Sequence, residues 1–342
     1  MEFSIGIAII ERNERPYITY LLKSVFEACK KCECDIYVID GGSTDGTIEL
    51  LHKVFVPLGV KIAFDKGKGL GAAHNLALHA IGENIVFFTF GDEYVSSTWI
   101  CTALKWFNDP KVAAVFGPVY ILKPSTLLEK YADWKLRRYF SKLRPGQHFP
   151  YAAATNLAVR RDIALEVGGF REDLIDADDA EFTYRLSKAG YRVVYEPRMV
   201  VYHQKAEEAE LGTLIRATML VAFGYGQVAA IHGLNWHPVC KVYFMFLPSL
   251  LLWFALLILQ PLMGLYIALS LIAVELLYFL YHAVRDRSLI PLIGTVVEPL
   301  RLVFASFSFL LGYIYQRTLY RYKRVAMTIR KLFDYVRLHV GH

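Results

Sequence analysis

Two long apolar runs constrain this chain more than any other feature: Val242–Leu259 and Leu262–Val284, separated only by Gln260-Pro261. Each is roughly 18 to 23 residues, long enough for a helix to cross a hydrocarbon core of ~30 Å. Glu275 is the one Asp, Glu, Lys or Arg inside them. A buried soluble bundle is the competing reading. Composition favours the membrane: 55% of residues are hydrophobic, 20% are charged and the mean hydropathy is +0.33. That is too apolar for disorder and high for an ordinary soluble enzyme.

A third run, Leu289–Tyr315, contains Glu298, Pro299 and Arg301. Charge inside a bilayer is expensive and usually faces protein or water. Pro299 lacks an amide hydrogen and is expected to break the segment. The sequence therefore predicts a short interfacial or re-entrant piece, then a helix over Leu300–Tyr315. Beyond it Arg317, Arg321, Lys323, Arg324, Arg330, Lys331 and Arg337 face only Asp334. Positive charge beside a membrane segment favours the cytoplasmic side. The loop Arg285-Asp286-Arg287 is basic too. Two spans keep that loop and an N-terminal domain in the cytoplasm, whereas a full third span puts the basic tail outside. A re-entrant third segment resolves the conflict. Met1-Glu2-Phe3-Ser4 has no basic n-region, so no secretory signal is expected there.

The chain of 342 residues suggests about two units. In its first 203 residues short apolar runs (Phe3–Ile10, Asp35–Ile39, Val60–Phe64, Asn84–Phe90, Val112–Pro118) alternate with helical spacing over Tyr17–Cys29, Thr47–Val54, Leu70–Ala80 and Ser97–Phe107. This predicts an α/β unit, a mostly parallel sheet with helices on both faces. In such sheets ligands bind beyond the carboxyl ends of the strands. Polar residues stand at those places: Arg12-Asn13-Glu14, then Asp40 through Thr47, then Gly91-Asp92-Glu93. Ser43–Thr47 reads as a turn with Thr44 or Asp45 capping the next helix. Asp40, at a strand end, can accept hydrogen bonds from a base or a ribose. Gly67-Lys68-Gly69-Leu70-Gly71 opens a helix and permits close approach to a ligand. It fits neither GxxxxGK[ST] nor a strand–GxGxxG pattern, which disfavours nucleoside triphosphatases and dehydrogenases.

Taken in order, Ile9–Glu14, Val38–Thr47, Gly69–Asn75, Phe87–Trp99, Asn156–Phe170 and Asp178–His203 resemble the family 2 glycosyltransferases of the GT-A (Rossmann-like) fold. The resemblance covers about residues 3 to 203. The subgroup it is similar to is membrane-attached and includes dolichyl-phosphate-sugar synthases and other enzymes acting on lipid-linked acceptors. It implies a GT-A domain over 1–204; the apolar runs and charge add an interfacial linker over 205–240, a membrane domain over 241–316 with two spans plus a third spanning or re-entrant segment, and a basic tail over 317–342. The resemblance also implies an inverting transfer from a nucleotide-diphosphate sugar, at the cell membrane, with the catalytic domain cytoplasmic.

Carried over by position, Arg12 would lie against the base, Glu14 would bind ribose, Asp40 would read the base, and the loop with Lys68 and Gly69 would border the donor. Asp92 matches the second acid of the family's DxD metal motif, and Phe90 replaces the first. A divalent magnesium or manganese ion would then rest on Asp92, with His203 completing its site. Glu93 could assist, although a strand neighbour usually points the other way. The family's base falls at Asp178-Asp179, and Asp179 is assigned to it. The plain reading of these acids is as caps of a helix over Phe182–Ala189. If the acceptor is an ionised lipid phosphate, Asp179 would orient it instead.

Leu127–Leu143 mixes Lys130, Lys135, Arg137, Arg138 and Lys142 with Tyr131, Trp134 and Phe140, the pattern of a helix at a membrane surface. Glu208–Ile231, with Arg216, Gly224 and Gly226, is a second interfacial candidate. The charge matches no nucleic-acid fold signature, so nucleic acid is not an expected partner. Cys29, Cys32 and Cys34 form CxxCxC, but zinc would need a fourth ligand. Cys101 and Cys240 read as small core or interfacial residues. Two other functions compete: an inactive GT-A-like scaffold, favoured by Phe90, and a polysaccharide synthase, disfavoured because Trp236 lacks the preceding Arg of QxxRW.

Overall fold

A computed structural model of the protein describes residues 3–30, 32–65, 67–204 and 210–317. The expected basic tail from Arg321 to Arg337 lies outside them. The chain divides into two compact units, Met1–Lys123 with Lys135–Ala206, and Pro124–Trp134 with Glu207–His342.

Among the described residues the first unit holds ten strands: β1 Ile5–Glu11, β2 Cys34–Asp40, β3 Lys61–Phe64, β4 Ile85–Phe90, β5 Glu93–Val95, β6 Val112–Phe116, β7 Val119–Ile121, β8 Leu157–Arg160, β9 Arg192–Tyr195 and β10 Val201–His203. Seven form a sheet in the order β3-β2-β1-β4-β8-β6-β9, and β5-β10-β7 form a smaller one. β1 to β4 run parallel, β8 is antiparallel to β4 and β6, and β9 is again parallel to β6. β1 reads as an unbroken apolar run because it is buried on both faces. Ile7, Ile9 and Phe87 join one core with Leu21 and Trp99, while Ala8, Ile10 and Phe88 join the other with Ala77 and Phe182. The helices are α1 Ile18–Cys29, α2 Thr47–Leu50, α3 Leu70–Ala80, α4 Trp99–Leu104, α5 Leu127–Phe140 (whose first turns belong to the second unit), α6 Arg161–Glu166 and α7 Asp178–Lys188. α7 starts four residues before the expected Phe182, which places Asp178 and Asp179 in its first turn.

The second unit consists of α8 Leu211–His232, α9 Pro238–Leu259, α10 Pro261–Arg285 and α11 Gly294–Arg317, with the start of α5. Thr126 and Glu129 cap α5 reciprocally: the Glu129 amide donates to Thr126 Oγ1 at 3.1 Å and Glu129 Oε2 accepts the Thr126 amide at 2.8 Å. All four of α8 to α11 are long and apolar enough to cross a membrane. The segment read as an interfacial linker contains α8, whose glycines serve packing: a Cβ at Gly226 would strike the Phe309 carbonyl, and one at Gly312 the Phe223 carbonyl. The third apolar run does not break at Pro299, because α11 continues through it. Its charges are paired within the unit, Glu298 Oε1 accepting from Tyr131 at 3.0 Å and from Arg301 at 3.3 Å, and Arg301 donating to Thr218 at 3.0 Å. Most of the exposed apolar surface is on α9 and α10, with Ile258 at 78% and Leu262 at 85% exposed, and α11 adds Val296 and Phe307.

Candidate functional site

The carboxyl ends of β1, β2 and β4 lie side by side, Glu11 opposite Asp40 and Ile10 opposite Phe90. Arg12, Glu14, Asp40 and Asp92 sit at these ends or on the loops that leave them, and Lys68 and Gly69 follow the neighbouring strand β3. The loop after β1 is zipped to the loop after β2. The Asn13 amide donates to Ser43 Oγ at 2.8 Å, the Thr44 amide to Asn13 Oδ1 at 2.7 Å and the Arg15 amide to Asp45 Oδ2 at 3.1 Å. Asp45 also accepts the Thr47 amide and so holds the turn, but the N-cap of α2 is Gly46 rather than Thr44 or Asp45. Ser43 does more than turn the chain, because its hydroxyl donates to Glu11 and its amide to Asp40.

Asp40 is buried and accepts the Gly42 amide at 2.8 Å. Burial pushes its carboxyl up, yet hydrogen bonds from Glu11, Ser43 and Gly42 outweigh this and hold it below the usual range. Glu11 behaves oppositely: burial, and then Asp40 beside it, push it up to about 9. The two acids are therefore held apart, Asp40 toward the ionised acceptor and Glu11 toward the neutral form. Sequence reading gave Glu11 no role of its own, because it ends an apolar strand and the polar residues that follow it, Arg12 and Glu14, draw the assignment.

Arg12 packs beside Gly41, and Gly67 lies near both. Lys68 and Gly69 follow on the same loop, and Gly69 has φ +114°, a conformation that favours glycine, just before α3. Glu14 approaches Gly91, where a Cβ would stand 3.0 Å from Glu14 Cβ. The first three loops and the turn after β4 therefore meet at this edge.

Asp92 sits in that turn, and β5 starts at Glu93. β5 pairs antiparallel with β10, with Glu93 opposite His203. His203 Nδ1 stands 3.9 Å from Asp92 Oδ2 and 3.7 Å from Glu93 Oε1. Ligand atoms of Asp92, Glu93 and His203 all fall within 4.8 Å of one another. Glu93 thus joins Asp92, although strand alternation would turn it away. The two straddle a turn rather than sharing a strand, so side-chain alternation does not apply to them. Glu93 is fully buried and accepts from Thr89, Thr155 and the Phe90 amide. Burial pushes its carboxyl up to about 8, Asp92 adds to this and His203 opposes it. Two carboxylates and one imidazole at this spacing suit a hard divalent cation.

Asp178 and Asp179 part company at the start of α7. Asp178 is buried and meets His74 Nδ1 at 2.8 Å, on α3. The His74 ring stacks on Phe170 at 4.5 Å. Asp179 is partly buried, and its Oδ2 accepts the Ala154 amide at 2.9 Å. Thr155, the next residue, is bonded to Glu93. One short segment therefore touches both Asp179 and the Asp92–Glu93–His203 cluster. Burial and then the charge of Asp178 push Asp179 up to about 7.

Comparison with known proteins follows the same outline. The family description "Glycosyl transferase family 2" matches residues 7–168, and "Glycosyl transferase family group 2" matches residues 91–284. The glycosyltransferase AglE of Haloferax volcanii is 26% identical over 60% of this chain and 69% of its own length. The succinoglycan biosynthesis protein ExoA of Rhizobium meliloti is 28% identical over 63% of this chain and 66% of its own. These matches reach only about two thirds of the relatives' length. Among solved structures, the mannosyltransferase PcManGT of Pyrobaculum calidifontis, in complex with GDP-Man and Mn2+, aligns over 93% of this chain and 87% of that one. Its TM-score is 0.55 at 21% identity, a likeness of fold.

Proposed function

This chain belongs to the family 2 glycosyltransferases, and from that premise we propose that it moves a sugar from a nucleotide-diphosphate sugar to a membrane-associated acceptor, either a lipid-linked hydroxyl or a polyprenyl phosphate, with inversion at the anomeric carbon. One observation carries the reading. A single chain has both a carboxylate–imidazole cluster at the carboxyl edge of its sheet and four helices long and apolar enough to cross a membrane.

In this reading Asp40, aided by Glu11, reads the base, Arg12 lies against it, Glu14 takes the ribose, and Lys68 and Gly69 border the diphosphate. Asp92, Glu93 and His203 would hold a magnesium or manganese ion, and the imidazole favours manganese. Such an ion, when bound, neutralises charge on a leaving diphosphate. Glu93 supplies the second carboxylate that Phe90 cannot. An acceptor oxygen attacks the anomeric carbon as the bond from that carbon to the diphosphate oxygen breaks. A hydroxyl acceptor gives its proton to Asp179, whereas an ionised phosphate is oriented by it. The manganese and GDP-Man bound by the similar mannosyltransferase support the donor class and the metal.

The lipid-facing surface is concentrated on α9 and α10, which supports two spans of the cell membrane with Arg285–Arg287 and the catalytic unit in the cytoplasm. The protein is expected to stay with membranes through 1 M salt and carbonate, since salt screens attachment that is only electrostatic. Release of the intact chain by salt alone would overturn the spans. The functional test is a screen of radiolabelled nucleotide sugars with the full chain in native lipid. Label should enter a lipid-extractable product with at least one of them. Label found only in a water-soluble product would overturn the acceptor class.

A further inference from the structure

The CxxCxC motif, unused by the site, acquires a partner in three dimensions. Cys32, in the connection between α1 and β2, lies with its Sγ 3.4 Å from the Sγ of Cys101 on α4. The positions are 69 residues apart in sequence. Both side chains are partly exposed. Cys32 and Cys34 line a cavity of about 820 Å³, bordered also by Glu83 and Leu104, through which a small thiol reagent can reach them. This lies at the amino end of β2, one strand length from Asp40 at its carboxyl end.

We propose that Cys32 and Cys101 are a dithiol pair that closes to a disulfide by exchange with a low-molecular-weight disulfide, reversibly linking the α1–β2 connection to α4. In the first step one protein thiolate attacks the small disulfide, forms a mixed disulfide and releases one small thiol. The other protein thiolate then attacks the protein sulfur of that mixed bond, forming the Cys32–Cys101 bond and releasing the second small thiol. Two electrons and the two thiol protons pass to the reagent. The sulfurs need approach by little more than 1 Å to reach the ~2.05 Å of an S–S bond.

The neighbouring cysteines do not compete. Cys34 donates to the Cys32 carbonyl at 3.0 Å, and its hydrogen bond with Cys29, followed by burial, pushes its thiol far above the usual range. A thiol that stays protonated is a poor nucleophile. Nor do the cysteines form a zinc cage: no three of them bring their sulfurs within 4.8 Å of one another among the described residues.

The experiment treats the full chain in lipid nanodiscs with oxidised glutathione and maps it by trypsin and mass spectrometry. Cleavage after Lys30 or Lys31 separates Cys29 from the peptide holding Cys32 and Cys34, and cleavage at Lys68 and Lys105 isolates Cys101. The expected product is a cross-link between those last two peptides, lighter than the free pair by about 2 Da and reversed by dithiothreitol. Cys32→Ser or Cys101→Ser should abolish it, while Cys34→Ser should leave it. Closing so long a loop should raise the apparent melting temperature by about 5–10 °C. Sugar transfer by the Cys→Ser variants should match the parent, since the pair lies away from the catalytic edge. A Cys29–Cys34 bond, glutathione adducts that never resolve to a cross-link, a cross-link without thermal effect, or about one zinc per chain lost on cysteine substitution would each overturn the proposal.

Discussion

Replacing Asp179 by asparagine should leave donor binding intact and slow single-turnover sugar transfer to a hydroxyl acceptor by about 10²–10⁴-fold, the usual contribution of positioned acid–base catalysis. The substitution keeps the side chain's size and its ability to accept the Ala154 amide, so the start of α7 stays in place. Asparagine caps helices nearly as well as aspartate, so a residue acting only as a cap would barely register the change. In the parent enzyme the rate should rise with pH. Burial raises the Asp179 carboxyl to about 7, so it is protonated and idle below that pH and ionised above it. The rising limb should therefore centre near pH 7 and vanish in Asp179→Asn. Stability runs the other way for this group. A carboxyl whose folded value is raised favours the fold below its unfolded value near 4, and that contribution is lost as pH climbs through 7. Asp178→Asn is the informative neighbour, because it disturbs the contact with His74 and should lower melting temperature more than it flattens the pH profile. Equal, small effects at both positions would contradict the base and favour an acceptor that arrives already ionised.

Much of this arrangement is legible in the amino-acid order, and what is not has identifiable causes. The unbroken run Ile5–Ile10 announces a strand buried on both faces, and Asp40, Asp92 and His203 stand out as polar residues ending apolar runs. β8 is harder to see: its four residues follow a tight turn, and nothing local says that it enters the sheet between β4 and β6 in the opposite direction. Glu93 is misread when periodicity is applied across the turn at Asp92. His74 looks like one more residue of an apolar helix until α7 brings Asp178 to it. Glu298 and Arg301 look prohibitive inside an apolar segment because their partners, Tyr131 and Thr218, lie more than 80 residues away. In each case the missing information is a pairing between distant segments, which side-chain period cannot encode.

The cluster at the start of β5 yields the second large effect. Asp92→Asn and Glu93→Gln should each reduce transfer by about 10²–10³-fold, the range seen when one electrostatic partner of a developing charge is removed. The two should differ in how they fail. Asp92 is partly exposed in its turn, so its loss should weaken manganese binding with little thermal cost. Glu93 is fully buried and holds Thr89, Thr155 and the Phe90 amide together, so its loss should lower both manganese affinity and melting temperature. Thr155→Val spares every proposed ligand and removes only a hydrogen bond to Glu93. Outer partners of this kind usually cost about 10–100-fold in metal affinity or activity. Calorimetry of manganese binding, with a nucleoside diphosphate present, reads affinity without relying on turnover. If Glu93 stands in for the acid lost at Phe90, Glu93→Gln should depress manganese affinity as much as Asp92→Asn does. Unchanged manganese affinity in Glu93→Gln, with only a lower melting temperature, would reduce Glu93 to a core hydrogen-bonding residue and leave Asp92 with His203 as the metal's protein ligands.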